Sequence, residues 1–376
     1  MSNKTYRIAI VGASSLLGKE LSDALSESPL GASSFTLLDE EQLAGNVAAA
    51  GDEISFIQKI DATSFEGKDL VFFAGEAAVT LKHWRSALKA EASIVDLTGA
   101  VERQPGVLVR APWVASAAPP ASGLSAVQNG SAAHGAGGAS HGVGASRGGG
   151  GKAPDIATPA VVTAHPAAVL LALLAARLGE RHTVRTLMAT VLLPASEFGR
   201  AAMDELHQQT VSLLSFQSLP REQYDAQVAF NLVRSWGESA KVPLKVEEIE
   251  ARIQANYAAI AAAGSPEVVL QVVHAPVFHG YGASLLVELE TAATQQEVAS
   301  ALLGKHVEVM AGAEAPNNVD AAGQDELVVS VQAVKPEGAG RQFRLWVATD
   351  NLRLAASNAV ACGVELLQLR PSGEVQ

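Results

Sequence analysis

The segment Ile8-Ala9-Ile10-Val11-Gly12-Ala13-Ser14-Ser15-Leu16-Leu17-Gly18 limits the fold more than any other. An apolar strand enters a glycine turn, and a helix with apolar positions at 16, 17, 21 and 25 follows at once. Gly12 lets the backbone turn tightly, and Gly18 lets the helix lie close to a sheet. The first helical N–H groups, those of Leu16 and Leu17, have no partner inside the helix and suit a pyrophosphate. Ser15 stands where a middle glycine is expected, so a side chain occupies the closest backbone approach, and Ser14 and Ser15 offer hydroxyl donors instead. Asp39 ends the next strand-like run, 21 residues beyond Gly18. A carboxylate there favours the free ribose hydroxyls of NAD over the extra phosphate of NADP.

The same alternation continues. Strands are expected at 6–11, 35–38, 69–73 and 93–96, with helices at 16–25 and 79–88, which argues for a parallel sheet covered by helices. At about Ala115 the composition changes, and up to Ala153 the chain is built of Ala, Gly, Ser and Pro with few other residues. That stretch has too little apolar mass to offset its ordering entropy and reads as a disordered insertion. Its His134 and His141 are expected to be solvated, and no metal site is assigned. Beyond it, helices are expected at 167–178, 197–214, 246–262 and 351–367, with strands at 183–193, 268–273, 283–290, 326–334 and 343–348. This is an α+β unit whose sheet could pair with a second subunit.

Composition excludes some functions. The net charge of -12 argues against nucleic acid and anionic membrane as partners. No uninterrupted apolar run reaches about 18 residues, and no signal-peptide pattern precedes the first strand. The single cysteine, Cys362, cannot form an intramolecular disulfide and fits a reducing cytoplasm.

Five further segments resemble the aspartate-semialdehyde dehydrogenase family. Phe72-Phe73-Ala74-Gly75 and Val95-Asp96-Leu97-Thr98-Gly99-Ala100 resemble the loops that flank its nicotinamide. Ala229-Phe230-Asn231 is similar to its A-F-N segment, and Ala275-Pro276-Val277-Phe278-His279-Gly280-Tyr281 to its R-V-P-V-x-x-G-H strand. Asp350-Asn351-Leu352-Arg353 matches its D-N-L-R segment, which returns to the first domain. The resemblance implies a Rossmann-like NAD(P)-binding domain of residues 1–114 plus 351–376. It also implies a dimerisation and substrate domain of residues 154–350, with 115–153 as the insertion. It adds Gly75 and Asn351 to the cofactor residues and implies a homodimer.

The family's chemistry is another matter. It reduces aspartyl phosphate through a cysteine thiolate and an acyl-enzyme, with a histidine moving the proton and an arginine holding the substrate carboxylate. Here the cysteine position falls at Pro166, the arginine at His274 and the histidine at Tyr281, while a phosphate-binding lysine falls near Glu250. His274 lacks a bidentate fork, and His274 and His279 lie on opposite faces of the expected strand, a poor metal pair. Three readings stay open: a catalytically altered dinucleotide-binding dimer, an oxidoreductase with cysteine-independent chemistry and Tyr281 as proton donor, or a non-catalytic partner of an active dehydrogenase. The small-molecule substrate is unknown on any of them.

Overall fold

The computed structural model describes residues 5–370 except 42–44, 46, 51–52, 62, 118–148, 311–314 and 336–337. Its first part runs β1 (Arg7–Val11), α1 (Leu16–Ser26), β2 (Ser34–Asp39), β3 (Val47–Ala50), β4 (Glu53–Phe56), β5 (Gln58–Lys59) and β6 (Leu70–Phe73). There follow α2 (Ala77–Lys89), β7 (Ser93–Asp96), β8 (Leu108–Arg110), α3 (Pro112–Ala117), β9 (Val161–Thr163) and α4 (Pro166–Gly179). The second part runs β10 (Val184–Leu193), α5 (Arg200–Leu214), α6 (Val246–Ile260), β11 (Val268–His274), β12 (Tyr281–Ala293) and α7 (Gln295–Leu302). It closes with β13 (Val307–Val309), β14 (Leu327–Ala333), β15 (Gly340–Thr349) and α8 (Asn351–Leu369).

The first sheet has the order β5-β2-β1-β6-β7-β9-β8, with parallel pairing throughout. The chain moves from β1 to β2 on one side and later to β6 on the other. The crevice at the end of β1 is therefore a topological switch point, where ligands bind in sheets of this kind. Alternation along β1 fills both faces. Ile8 and Ile10 pack with Leu21, Leu25, Ala359 and Cys362 of α1 and α8, whereas Ala9 and Val11 pack with Val79 and Trp84 of α2. The C-terminal helix thus covers the first sheet.

The second sheet is mixed, with the order β11-β10-β12-β15-β14-β13. Leu187, Val191, Ala283, Leu285, Leu345 and Val347 bury one of its faces in the main core, together with α4 and α6. The Ala- and Leu-rich α4 is buried over most of its surface, as a helix apolar all round must be. On the opposite face Val269, Met188, Leu286 and Arg344 stand in one cross-strand row. Met188 and Val269 are exposed there, at 44% and 60%.

The structure corrects three expectations. The first sheet continues past Pro154, because β9 pairs with β7 and β8. At three residues β9 is too short for its apolar run to stand out. The insertion is ordered at both ends: Ala115–Ala117 complete α3, and Arg110 Nη1 donates to the carbonyls of Gly150 and Gly151 at 2.8 and 2.6 Å. Residues 118–148, with His134 and His141, lie outside the described residues. The helix expected at 197–214 is broken. A short 3-10 turn, Ala195–Phe198, stops at Gly199 with φ of +85°, and α5 starts afterwards.

Candidate functional site

The glycine turn after β1 assembles as its residue types require. Gly12 has φ of +83°, and a Cβ there would lie 2.2 Å from Gly75 Cα, so the two glycines let the β1 and β6 loops touch. Ser15 is the N-cap of α1: its Oγ accepts from Gly18 N–H and donates to Ala74 O, both at 2.8 Å. The serine in place of a middle glycine therefore ties the turn to the β6 loop. Leu16 and Leu17 are the first two helical residues, and their backbone N–H groups have no acceptor in the helix. Ser14 donates twice to Asp39 Oδ2, from its N–H at 3.1 Å and its Oγ at 2.5 Å, and Glu40 N–H donates to Oδ1 at 3.0 Å. Gly12, Ser14, Ser15, Leu16, Leu17, Asp39 and Gly75 thus meet at the switch point. Free amides at the start of α1 for a diphosphate, with a carboxylate for ribose hydroxyls, fit a dinucleotide.

Asn351 is placed elsewhere. It opens α8, and its Oδ1 accepts from Ser196 Oγ at 3.1 Å and from Gly280 N–H at 2.9 Å. It belongs to a second cluster, between the two sheets.

That cluster centres on Glu197. Its Oε2 accepts from Tyr281 Oη at 2.5 Å, and its Oε1 lies 2.9 Å from His165 Nε2. His165 is the N-cap of α4, and its Nδ1 accepts from Ala167 N–H at 3.2 Å. With Nδ1 an acceptor, the proton of the neutral ring sits on Nε2, the nitrogen facing Glu197. That N–H is not aligned on the oxygen, so the contact is one of charge and proximity more than a directed hydrogen bond. The His165 N–H donates to Asn256 Oδ1 at 2.8 Å. Asn256 Nδ2 and Arg252 Nε donate to the two oxygens of Glu102, at 2.7 and 3.1 Å. α6 thereby bonds to the loop after β7, and the Arg252 guanidinium lies against Gly99. Burial pushes the Glu197 carboxyl up, but His165, Tyr281 and Arg252 together hold it below the usual carboxylate range. Burial and the charge of Glu197 drive the Tyr281 phenol well above its ordinary value.

The other family positions are structural here. Pro166 is the first helical residue of α4, a position that suits proline and supplies no nucleophile. His274 is wholly buried among Phe198, Tyr224 and Trp236, with Nδ1 3.1 Å from Leu193 O. Burial pushes its pKa down to about 4 against the opposing pull of that carbonyl. Its Nε2 and Tyr224 Oη are buried without partners among the described residues. His279 lies beyond β11 in the turn to β12. Glu250 accepts from Val272 N–H and pairs with Arg234. Cys362 is buried in α8, which pushes its thiol up, away from the reactive form.

Sequence reasoning missed Glu197, Arg252, Asn256 and Glu102. Pro194 and Gly199, which bracket Glu197, were the available sign that it leaves the helix.

Comparison with known proteins agrees with this architecture. A family model described as semialdehyde dehydrogenase, NAD binding domain, matches residues 7–121, and one described as semialdehyde dehydrogenase, dimerisation domain, matches residues 172–354. A USG-1 protein homolog of Pseudomonas aeruginosa is 30% identical over 374 residues, covering 97% of this chain and 99% of that protein. An aspartate-semialdehyde dehydrogenase of Rickettsia bellii is 22% identical, covering 97% and 98%. Among solved structures, a probable aspartate-semialdehyde dehydrogenase from Pseudomonas aeruginosa superposes with a TM-score of 0.75 at 28% identity, covering 97% of this chain and 99% of that one. With both domains matched in order and a relative similar over nearly its whole length, the chain belongs to the semialdehyde dehydrogenase family.

Proposed function

We propose that this chain is an NAD(P)-binding homodimer that does not carry out the thiol-dependent reductive dephosphorylation of aspartyl phosphate. One observation carries the reading: the buried polar atoms of the central cluster, His165 Nε2 and Tyr281 Oη, both face Glu197, and no thiol stands beside them. A proton held between a phenol and a carboxylate, with the phenol shifted up, is poorly placed for release to a substrate. This counts against Tyr281 as the proton donor of a cysteine-independent oxidoreductase. Titration calorimetry with NAD and NADP, followed by phosphate-dependent oxidation of aspartate semialdehyde, tests the proposal. Binding without turnover is expected, and turnover would overturn it.

Gly12, Ser14, Ser15, Leu16, Leu17, Asp39 and Gly75 hold the cofactor in this reading, and Asn351 borders the nicotinamide end. A bound nicotinamide would supply or accept hydride. Asp39 favours NAD, because a ribose phosphate would meet its carboxylate. Asp39→Asn keeps the shape and removes the charge, so the NAD:NADP affinity ratio is expected to fall about tenfold, roughly 1.4 kcal/mol. An unchanged ratio would leave Asp39 with only its bonds to Ser14 and Glu40.

The homodimer is assigned to the outer face of the second sheet, whose row of Val269, Met188 and Leu286 is apolar. Met188→Arg puts a charge into that row beside the Arg344 already present. Light scattering should give a monomer for this variant and a dimer for the parent. A dimeric variant would move the interface elsewhere.

A further inference from the structure

The groups around Glu197 have the form of a binding site. Its two oxygens face two different groups: Oε2 accepts from the Tyr281 phenol at 2.5 Å, and Oε1 lies 2.9 Å from His165 Nε2 without a directed hydrogen bond. Each group is fixed independently of Glu197. His165 is held by Asn256 and by its cap bond to Ala167, and the two rings lie 6.5 Å apart and 19° from parallel. Both residues are at least 97% buried, so without a carboxylate the Tyr281 hydroxyl would join His165 Nε2 as a polar group with no hydrogen-bond partner in the interior. Positive potential converges there as well, from the N-terminus of the 14-residue α4.

The occupant belongs to a separate element. Glu197 rides on the 3-10 turn, which is tied to the chain after β11 by Ala195 N–H to Val277 O and Ser196 N–H to Phe278 O, both 2.9 Å. Glu197 keeps 16% of its side chain exposed, so its place can be reached from solvent. We propose that His165 and Tyr281, at the N-terminus of α4, form a receptor for a small carboxylate and that the chain's own Glu197 fills it. The pocket is thereby closed to free monocarboxylates of the size of formate and acetate. This deepens the functional reading above: the pocket is occupied from within instead of being open to substrate.

Glu197→Ala tests the proposal by emptying the receptor while leaving its walls in place. The variant should melt below the parent, and formate or acetate should raise its melting temperature saturably, relative to chloride at equal ionic strength. At the ceiling of about 1.5 kcal/mol per heavy atom, formate reaches a Kd of about 0.5 mM and acetate about 40 μM, so the titration must run from tens of micromolar to tens of millimolar. The parent and Glu197→Gln, in which the space stays filled, should not respond. An equal response in all three proteins, or none in Glu197→Ala, would overturn the proposal. Should Glu197→Ala not fold unaided, it is refolded from denaturant with and without formate. Recovery with formate alone supports the receptor, and failure under both conditions counts against it. NAD binding to the parent uses neither the variant nor the anion, so failure there would touch only the functional reading.

Discussion

Gly12→Ala is expected to abolish NAD binding and to destabilise the first domain by more than about 3 kcal/mol. Two independent penalties coincide at this residue. Its φ of +83° is one that L side chains rarely adopt, which costs on the order of 1–3 kcal/mol. The added Cβ would also lie 2.2 and 2.3 Å from Gly75 Cα and N. These are backbone atoms of the β6 loop, and no side-chain rotation can relieve the overlap. The loops after β1 and β6 must separate, and Ser15 then loses its bond to Ala74 O and α1 its fixed start. Denaturant unfolding and calorimetric titration check both halves. Parent-like stability together with retained NAD binding would mean that the turn is far softer than its packing indicates.

A second large effect is expected from His274 on acidification. Burial holds its folded pKa at about 4, against 6.5 for the free side chain. Between these values the unfolded chain takes up a proton that the folded chain refuses. The stability is therefore full above about pH 6.5 and is lost as the pH falls toward 4, by about 3 kcal/mol in all. His306 is pushed down to about 4 as well, first by burial, and contributes in the same direction. The useful quantity is therefore a difference between two proteins. His274→Phe keeps an aromatic ring among Phe198, Tyr224 and Trp236 and removes the titration. It also removes the ring nitrogen's contact with Leu193 O, which still accepts from Ala275 N–H at 2.9 Å, and the variant's stability should fall less steeply between pH 6.5 and 4. Identical slopes in parent and variant would show that the ring is not held neutral.

The fold was largely legible in the sequence because its strongest signals are local. The alternation of Ile8, Ala9, Ile10 and Val11 is that of a strand buried on both faces, and the glycine turn after it has few structural alternatives. The Ala and Leu run of α4 reads as a buried helix, and it is one. Legibility ended where an element was short or its role depended on distant chain. β8 and β9 have three residues each and gain their identity only from pairing with the rest of the sheet. Glu197 was absorbed into α5 because the helical period runs smoothly through it, and Gly199 overrides that period. The absence of a thiol was visible at Pro166. That a carboxylate had come to rest between His165 and Tyr281 was not, since residues 165, 197 and 281 meet only in three dimensions.

Arg110 fixes both margins of the compositionally simple stretch at once. Its guanidinium grips Glu365 through two nitrogens and the carbonyls of Gly150 and Gly151 through the third. Gly149, on the returning side, packs against Val114 on the departing side. One side chain therefore fixes the departing margin, the returning margin and the C-terminal helix relative to one another, so a change at residue 110 would be felt at all three together.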